Sequence, residues 1–308
     1  MDRDVEELIR KSVISMTSQR MIPHRDTGKV TFPDKEKAEW LNEIIAQLWP
    51  SLNCYIIKYC RGKLQTKIKK KFESFRFEEL DFGNQPPKID GIKVYNKSIS
   101  KDAIIIDFEI FYDGDCDINF SMSRTQIGRI KDFQMGVEIR VTLKPILYKL
   151  PIVGGMQMFF LNIPDIHFEL EGITSIPGFS YFARQKIEEL INKKLVFPNK
   201  ITKRFSKSVD AVELKSIEAE GILRVHVFEA RDLEKKDVTG KSDPYAVLNV
   251  GAQEQKTKVI NRELNPQWDH YCEFIILDPE VQQLHFKLFD QDELSEDDFL
   301  GRLVSRNF

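Results

Sequence analysis

The sequence has few of the residues that build covalent or metal-based scaffolds. Only four cysteines occur in 308 residues, and none forms a Cys-x-x-Cys pair or a zinc-ligand spacing. We therefore expect free thiols in a reducing compartment. No apolar run reaches about 18 residues, and no signal-peptide pattern opens the chain. We expect a peripheral polypeptide that does not itself span a membrane.

Sequence signatures of catalysis are also missing. There is no Gly-x-Ser-x-Gly motif, no phosphate-binding glycine loop and no His-Glu-x-x-His motif. Five histidines are scattered along the chain, and His167 and His285 lie on strand-like patterns, where structural or exposed roles are the commoner ones. The sequence therefore predicts a binding protein and not an enzyme.

The charge is uneven along the chain. The net charge is −2, but residues 216–308 contain 11 Lys and Arg against 19 Asp and Glu, whereas the remainder contains 35 against 29. A mildly basic body fits an anionic membrane surface, and an acidic module fits cations. Nothing is basic enough to indicate nucleic acid as a partner.

Helical periodicity occurs in three places. Val5, Leu8, Ile9 and Met16 predict a short amphipathic helix within the first 30 or so residues, followed by a polar linker. A long helix is predicted from about Asp34 to Phe75, with a kink at Pro50 and a lysine-rich later half that is either a solvated face or a lipid-binding patch. A further helix is predicted over residues 180–196.

Between these helices the period changes from 3.6 to 2, which predicts an antiparallel sheet with one apolar face. Two long helices could close a core over that face. An open apolar groove is the preferred interpretation, because the face carries many large residues and the segment 154–160 adds adaptable methionines. The predicted groove residues are Ile104, Ile106, Phe108, Val137, Ile139, Val141, Met156, Met158, Ile187 and Ile191.

Two clusters of aspartates near the end of the sequence suit calcium. The first contains Asp237 and Asp243, and the second contains Asp290, Asp292 and Asp298. Calcium takes 6–8 oxygen ligands, which two carboxylate-rich loops can supply. Six acidic residues and no Lys or Arg occur from 290 to 298, so a solvated acidic loop is the alternative interpretation.

Several motifs resemble the lipid-transfer domain of the extended synaptotagmins. They are Phe32-Pro33-Asp34-Lys35, Leu48-Trp49-Pro50, Gly83-Asn84-Gln85-Pro86-Pro87, Pro151-Ile152-Val153-Gly154, Ile176-Pro177-Gly178 and Leu195-Val196-Phe197-Pro198-Asn199. The resemblance implies an α+β fold of the tubular lipid-binding superfamily, an elongated half-tube of curved antiparallel sheet and long helices. It also implies a groove for the acyl chains of glycerophospholipids and a homodimer formed through this domain.

The resemblance continues into an all-β C2 sandwich, through Gly240-Lys241-Ser242-Asp243-Pro244-Tyr245 and Asn265-Pro266-Gln267-Trp268. By position, it implies that the five aspartates are the calcium ligands and that Val238 and Leu294 are membrane-inserting loop tips. Relatives begin with a hydrophobic hairpin and continue into a last C2 strand and further C2 domains, so the sequence is expected to hold an incomplete first C2 domain.

The resulting expectation has three segments: an N-terminal amphipathic segment and linker (1–34), a lipid-transfer domain (35–215) and a partial C2 domain (216–308). The expected function is non-enzymatic glycerophospholipid transfer between endoplasmic reticulum and plasma membrane, with calcium-dependent phospholipid binding, on the cytosolic face of the endoplasmic reticulum. The alternative is a membrane-contact tether or scaffold without transfer.

Overall fold

The computed structural model describes residues 15–21, 38–70, 72–95, 102–121, 127–172, 179–233, 242–292 and 297–306. Two compact units divide the chain. The larger unit comprises Val30–Leu195 and Asn199–Leu214, and the smaller unit comprises Met1–Lys29, Val196–Pro198 and Lys215–Phe308. The architecture is mixed and mostly sheet, as the sequence predicted.

In the larger unit, one long helical region precedes an eight-stranded sheet. The helical region is α1 (Glu39–Tyr59), a π-helical turn (Cys60–Leu64) and α2 (Gln65–Lys69), with Pro50 inside α1. The strands are β2 (Arg76–Asp81), β3 (Lys88–Tyr95), β4 (Ile104–Asp113), β5 (Asp117–Ser121), β6 (Ile127–Leu143), β7 (Gly155–Phe160), β8 (Asp165–Glu171) and β9 (Ile201–Arg204). Helix α3 (Phe179–Leu195) follows β8, and α4 (Ala211–Lys215) follows β9.

The 17-residue strand β6 organises this sheet. It pairs antiparallel with β4 and β5, and also with β7 and β8, while β2 extends the sheet from β5, β3 from β4 and β9 from β7. A strand this long can have four neighbours because β5 and β4 pair with successive parts of one of its edges, and β8 and β7 pair with successive parts of the other. All these pairings are antiparallel, as the alternation predicted.

The smaller unit contains two sheets. The first has the order β1-β10-β13 and the second has the order β12-β11-β14-β15. The strands are β1 (Ser15–Met21), β10 (Gly221–Glu229), β11 (Pro244–Val250), β12 (Gln253–Lys256), β13 (Gln267–Ile276), β14 (Gln283–Asp290) and β15 (Asp298–Arg306). Alternate residues of β10, β11, β13 and β14 form one buried core, which includes Val225, Leu248, Phe274 and Phe286.

The helix predicted for the first 30 residues is wrong at Met16. Residues Ser15–Met21 form strand β1, which pairs antiparallel with β10 from Met16 opposite Val227 to Met21 opposite Ile222. The other residues of the predicted helix, Val5, Leu8 and Ile9, lie outside the described residues. A strand partner that is about 200 residues away leaves no local signal, so periodicity alone could not predict this pairing.

Candidate functional site

Three neighbouring strands bring apolar side chains into rows across the larger sheet. Ile106 on β4 lies opposite Val141 on β6, and Val141 lies opposite Met158 on β7. Adjacent rows join Phe108, Ile139 and Phe160 on one side, and Ile104, Leu143 and Met156 on the other. Directly paired residues point to the same face of a sheet. The rows therefore form one continuous apolar surface, which we call the groove face.

The groove face is only partly covered. Ile104 is 39% exposed, whereas Val137 is buried at 6%. The remaining predicted groove residues are all half-buried: Ile106, Phe108, Ile139, Val141, Met156 and Met158 on the sheet, and Ile187 and Ile191 on α3. Half-buried apolar side chains keep part of their surface in contact with water, and a bound apolar molecule would cover that surface. That they contact lipid stays a prediction.

The opposite face of the same strands is polar and more deeply buried. Arg140 on β6 is 6% exposed and donates from Nε and Nη2 to the two carboxylate oxygens of Asp107 on β4, at 2.7 and 2.6 Å. The hydroxyl of Tyr95 donates to Asp107 Oδ2 at 2.8 Å and accepts from Arg140 Nη2 at 3.0 Å. Burying polar side chains behind strands whose front face leaves several large apolar side chains half-buried departs from the usual distribution between core and surface.

The period-2 pattern puts Asp107 and Arg140 at the polar positions of their strands, but it does not predict that they pair. Their pairing depends on the register between β4 and β6, which places them directly opposite each other. Two neighbouring strands that each carry an opposite charge among their polar residues could have suggested this ion pair. On the same face, the amide of Gln157 donates to the carbonyl oxygen of Leu214, and Gln157 is buried.

Helix α1 is attached to the sheet by side chains spaced to share one of its faces. Asn42 donates to the carbonyl oxygen of Ile89 at 3.0 Å and accepts from its backbone N–H at 2.8 Å. Trp49 Nε1 and Asn53 Nδ2 both donate to the carbonyl oxygen of Gly83 at 3.1 Å. A different face of α1 carries exposed apolar side chains at helical spacing. These are Trp40, Ile44, Leu48, Leu52 and Tyr55.

The later part of the helical region closes one end of the sheet. Cys60, Phe75, Phe77, Leu80, Ile118 and Phe120 form a buried cluster there. All four cysteines of the chain are free, and burial raises the pKa of Cys60 to about 11. A thiol with such a pKa remains protonated and unreactive. The cluster is a core, so the partly covered apolar surface is confined to the rest of the sheet.

In the smaller unit, strand order gathers acidic residues at one edge. Asp243 immediately precedes β11, Asp290 ends β14 and Asp298 begins β15. Because β11, β14 and β15 are neighbours, Pro244 lies opposite Asp290, and Asp290 lies opposite Asp298. This acidic edge holds three of the five predicted ligands, and Asp292 follows two residues after Asp290. Asp237 and the predicted tips Val238 and Leu294 lie outside the described residues.

Asp290 is the most informative member of the acidic edge. It is 1% exposed, and its Oδ1 accepts the backbone N–H of Asp243 at 2.5 Å. Its Oδ2 is buried without a hydrogen-bond partner. A buried carboxylate oxygen without a partner is costly, and a bound cation would offset that cost. Carboxylate oxygens are the type of ligand that a hard cation such as calcium takes.

Within the described ranges, no group of three or more His, Cys, Asp or Glu side chains could hold a metal ion. Asp297, which is not among the predicted ligands, accepts hydrogen bonds from the hydroxyl of Tyr245 and from the backbone N–H of Asp292, the latter at 3.2 Å.

In the part of the chain that is described, no helix is long and apolar enough to cross a membrane.

Comparisons with known families match both units. The synaptotagmin-like mitochondrial-lipid-binding domain family matches residues 34–206, which include every predicted groove residue. The C2 domain family matches residues 221–306, which include all five predicted calcium ligands.

The individual relatives that match are extended synaptotagmins. Extended synaptotagmin-3 of Xenopus tropicalis is 37% identical over 287 residues, and extended synaptotagmin-3 of Homo sapiens is 36% identical over 284 residues. Each match covers 89% of this chain and 32% of the relative, so the chain spans about a third of their length. A solved structure of extended synaptotagmin 2 contains the synaptotagmin-like mitochondrial-lipid-binding (SMP) domain and two C2 domains. It is 34% identical to this chain, with a TM-score of 0.47, and the match covers 88% of this chain and 62% of that structure's chain.

The buried ion pair behind the groove face makes a testable prediction about stability. Arg140→Met should lower the free energy of unfolding by about 3–5 kcal/mol, because it leaves the Asp107 carboxylate buried and without its cation. Chemical denaturation followed by circular dichroism measures this loss. The double variant Arg140→Met with Asp107→Leu should recover much of the stability, since no unpaired charge remains.

Arg129→Met is the matched control for this prediction. Arg129 pairs with Asp117 on the same sheet, but the two side chains are 41% and 35% exposed. Hydrogen bonds from Arg129 hold the pKa of the Asp117 carboxyl below its usual value. Water screens this pair, so its loss should cost far less than the loss of Arg140. Equal costs for the two variants would contradict the prediction.

Proposed function

Because the chain belongs to the synaptotagmin-like mitochondrial-lipid-binding domain family and has the domain order of the extended synaptotagmins, we propose that it binds glycerophospholipids in the groove and transfers them between apposed membranes. Neither domain family is enzymatic, so binding and release are the whole of the activity. The observation that carries the proposal is the half-covered groove face, on which β4, β6 and β7 align three rows of apolar side chains.

The energetics of lipid tails explain why such a surface can act in transfer. A lipid that enters water exposes its acyl chains at a cost of about 0.8 kcal/mol per CH₂ group. A groove that covers the chains removes most of that cost from the path between two bilayers. The groove face has aliphatic, aromatic and methionine side chains, and the methionines adapt to irregular apolar guests. These contacts suit acyl chains and carry no chemistry that would select a head group.

Calcium control of membrane engagement is the second part of the proposal. Asp243, Asp290 and Asp298 share the acidic edge, and Asp290 has a buried carboxylate oxygen without a hydrogen-bond partner. Asp237 and Asp292 complete the set that resembles C2 calcium ligands. Neighbouring carboxylates repel one another, and a bound Ca²⁺ would replace that repulsion with attraction. The more neutral edge would then allow the tips at Val238 and Leu294 to approach anionic lipid.

The site of action and the assembly state follow from the family alone. We place the chain on the cytosolic face of the endoplasmic reticulum at contacts with the plasma membrane, as a peripheral protein. We also place the lipid-binding domain in a homodimer, the commonest symmetric assembly of soluble proteins. If the groove held no lipid, the same two domains would act only as a tether or scaffold, and counting lipids per chain by native mass spectrometry separates these two functions.

Filling the groove should reduce lipid binding and transfer. The double variant Val141→Trp with Ile187→Trp adds two indole rings to half-buried positions, one on the central row of the groove face and one on α3. We expect this variant to lose most of its bound lipid by native mass spectrometry, and most of its transfer between liposomes. Val304→Trp, at an exposed position on β15, is the matched control. Unchanged transfer by the folded double variant would remove these residues from the groove.

Calcium should bind and stabilise the smaller unit. At a calcium concentration 100 times the dissociation constant, binding adds about 2.7 kcal/mol to the free energy of unfolding. Asp290→Asn with Asp292→Asn should abolish both the stabilisation and the heat of binding in calorimetric titration. Glu254→Gln with Glu280→Gln removes two charges far along the strands from the acidic edge, one on β12 opposite Asn249 and one just before β14, and should change neither. A chain with no saturable binding at millimolar calcium would refute the calcium site.

The homodimer has a direct test. Light scattering of the purified chain at micromolar concentration should give twice the mass of one chain, because the lipid-binding domain is expected to pair with a second copy. A monomer at that concentration would contradict the proposed assembly and would leave the lipid-binding proposal unaffected.

A further inference from the structure

The loop between β6 and β7 exposes apolar side chains at its tip. Tyr148 is fully exposed, Leu150 is 85% exposed and Ile152 is 50% exposed. Solitary exposed apolar residues are normal on a protein surface, but three within five residues on one loop form a contiguous patch. We call residues 148–152 the apolar tip.

The apolar tip belongs to an ordered hairpin. The backbone N–H of Lys144 donates to the carbonyl oxygen of Gly155 at 3.0 Å, that of Gly154 donates to Pro145 at 2.8 Å, and that of Leu147 donates to Ile152 at 2.6 Å. These hydrogen bonds close the base of the loop, so that residues 148–151 project from it into solvent. The exposure of Tyr148 and Leu150 is therefore a property of a defined conformation.

The base of the hairpin is also locked against the neighbouring strand. The backbone N–H groups of Phe205 and Ser206 donate to the carbonyl oxygen of Gly154 at 2.9 and 3.0 Å. A Cβ atom at Gly154 would lie 2.6 Å from a methyl carbon of Val209, so this close approach requires glycine. The hairpin and the segment after β9 thus form one rigid platform.

Most of the charge around the apolar tip is positive. Lys149 lies within the tip, and the exposed Lys203, Arg204 and Lys207 lie on and just after β9, which pairs with β7 at the hairpin base. Residues 143–153 and 199–207 contain no Asp or Glu. One exposed acidic residue, Asp102, borders the hairpin, where its carbonyl oxygen accepts the N–H of Ile146, and Asp210 directly precedes α4.

An exposed apolar tip with a basic flank matches the chemistry of an anionic bilayer surface. The tyrosine ring and the leucine side chain suit the interfacial layer, and the cations suit acidic head groups. We propose that the apolar tip is a second membrane-docking site, carried by the lipid-binding unit, independent of calcium, and selective for bilayers that contain anionic phospholipid.

The position of the apolar tip relative to the groove face adds a functional consequence. Leu143 ends β6 and lies opposite Met156 and Ile104, so the last row of the groove face adjoins the hairpin. A bilayer docked on the tip would meet the groove at this end, where Ile104 is exposed. Docking itself does not depend on the proposed transfer, so the two proposals can fail separately.

The experiment measures vesicle binding by the full chain in the presence of a calcium chelator. Flotation with phosphatidylcholine vesicles, with and without phosphatidylserine, should show binding that requires the anionic lipid and weakens with added salt. Tyr148→Ser with Leu150→Ser should lower the partition coefficient at least about tenfold, because both apolar groups lose their burial in the bilayer. Lys149→Glu should weaken binding to anionic vesicles without removing an apolar group.

Tyr271→Ser is the matched control, since it removes an exposed tyrosine from β13 of the smaller unit. It should bind vesicles like the unmodified chain. The proposal is overturned if the unmodified chain fails to bind in chelator, or if the double variant binds as well as the control. It is also overturned if light scattering shows that the double variant loses a dimer while vesicle binding is unchanged, because the tip would then be an interface between copies.

Discussion

The register between β4, β6 and β7 is the constraint on which the larger unit depends. Side chains alternate between the two faces of a strand, so a shift of one residue would exchange the groove face for the polar face. The bidentate pair of Arg140 and Asp107 exists in one register only, because it needs the two residues directly opposite each other. An interaction behind the groove thereby holds the apolar rows in front of it.

The distribution of burial in this sheet departs from that of an ordinary core. Arg140 and Gln157 are buried, while Val141 and Met158 on the other face are only half-buried. Burial of apolar surface stabilises a folded protein. Apolar side chains that stay partly exposed at the centre of a sheet therefore contribute less stability than they would if fully buried. Binding of an apolar guest would recover the difference. The closed cluster around Phe120 and Cys60 supplies the stability that the groove face does not.

In the smaller unit, strand order determines which acidic side chains lie close together. Asp243, Asp290 and Asp298 come from separate parts of the sequence, and the order β11-β14-β15 brings them to one edge. Asp290 is held there by the backbone of Asp243, with one carboxylate oxygen left without a hydrogen-bond partner. In both units strand pairing fixes the backbone. The candidate sites are then identified by side chains that are only partly covered, as on the groove face, or that lack a hydrogen-bond partner, as at Asp290.

The sequence by itself determined the elements whose signal is local. Period-2 alternation predicted β4, β5, β8, the last part of β6 and the antiparallel pairing, and period 3.6 predicted α1 and α3, because each pattern reflects which face of one element is apolar. Motif resemblance supplied the family and the candidate ligands. Tertiary structure alone decided three features: strand β1 at Met16, the pairing of Arg140 with Asp107, and the exposure of Tyr148 and Leu150 in a segment whose apolar composition is typical of a core. The first two depend on contacts between residues distant in the sequence, and the third depends on the hairpin conformation that backbone hydrogen bonds hold. Local patterns predict neither kind of contact.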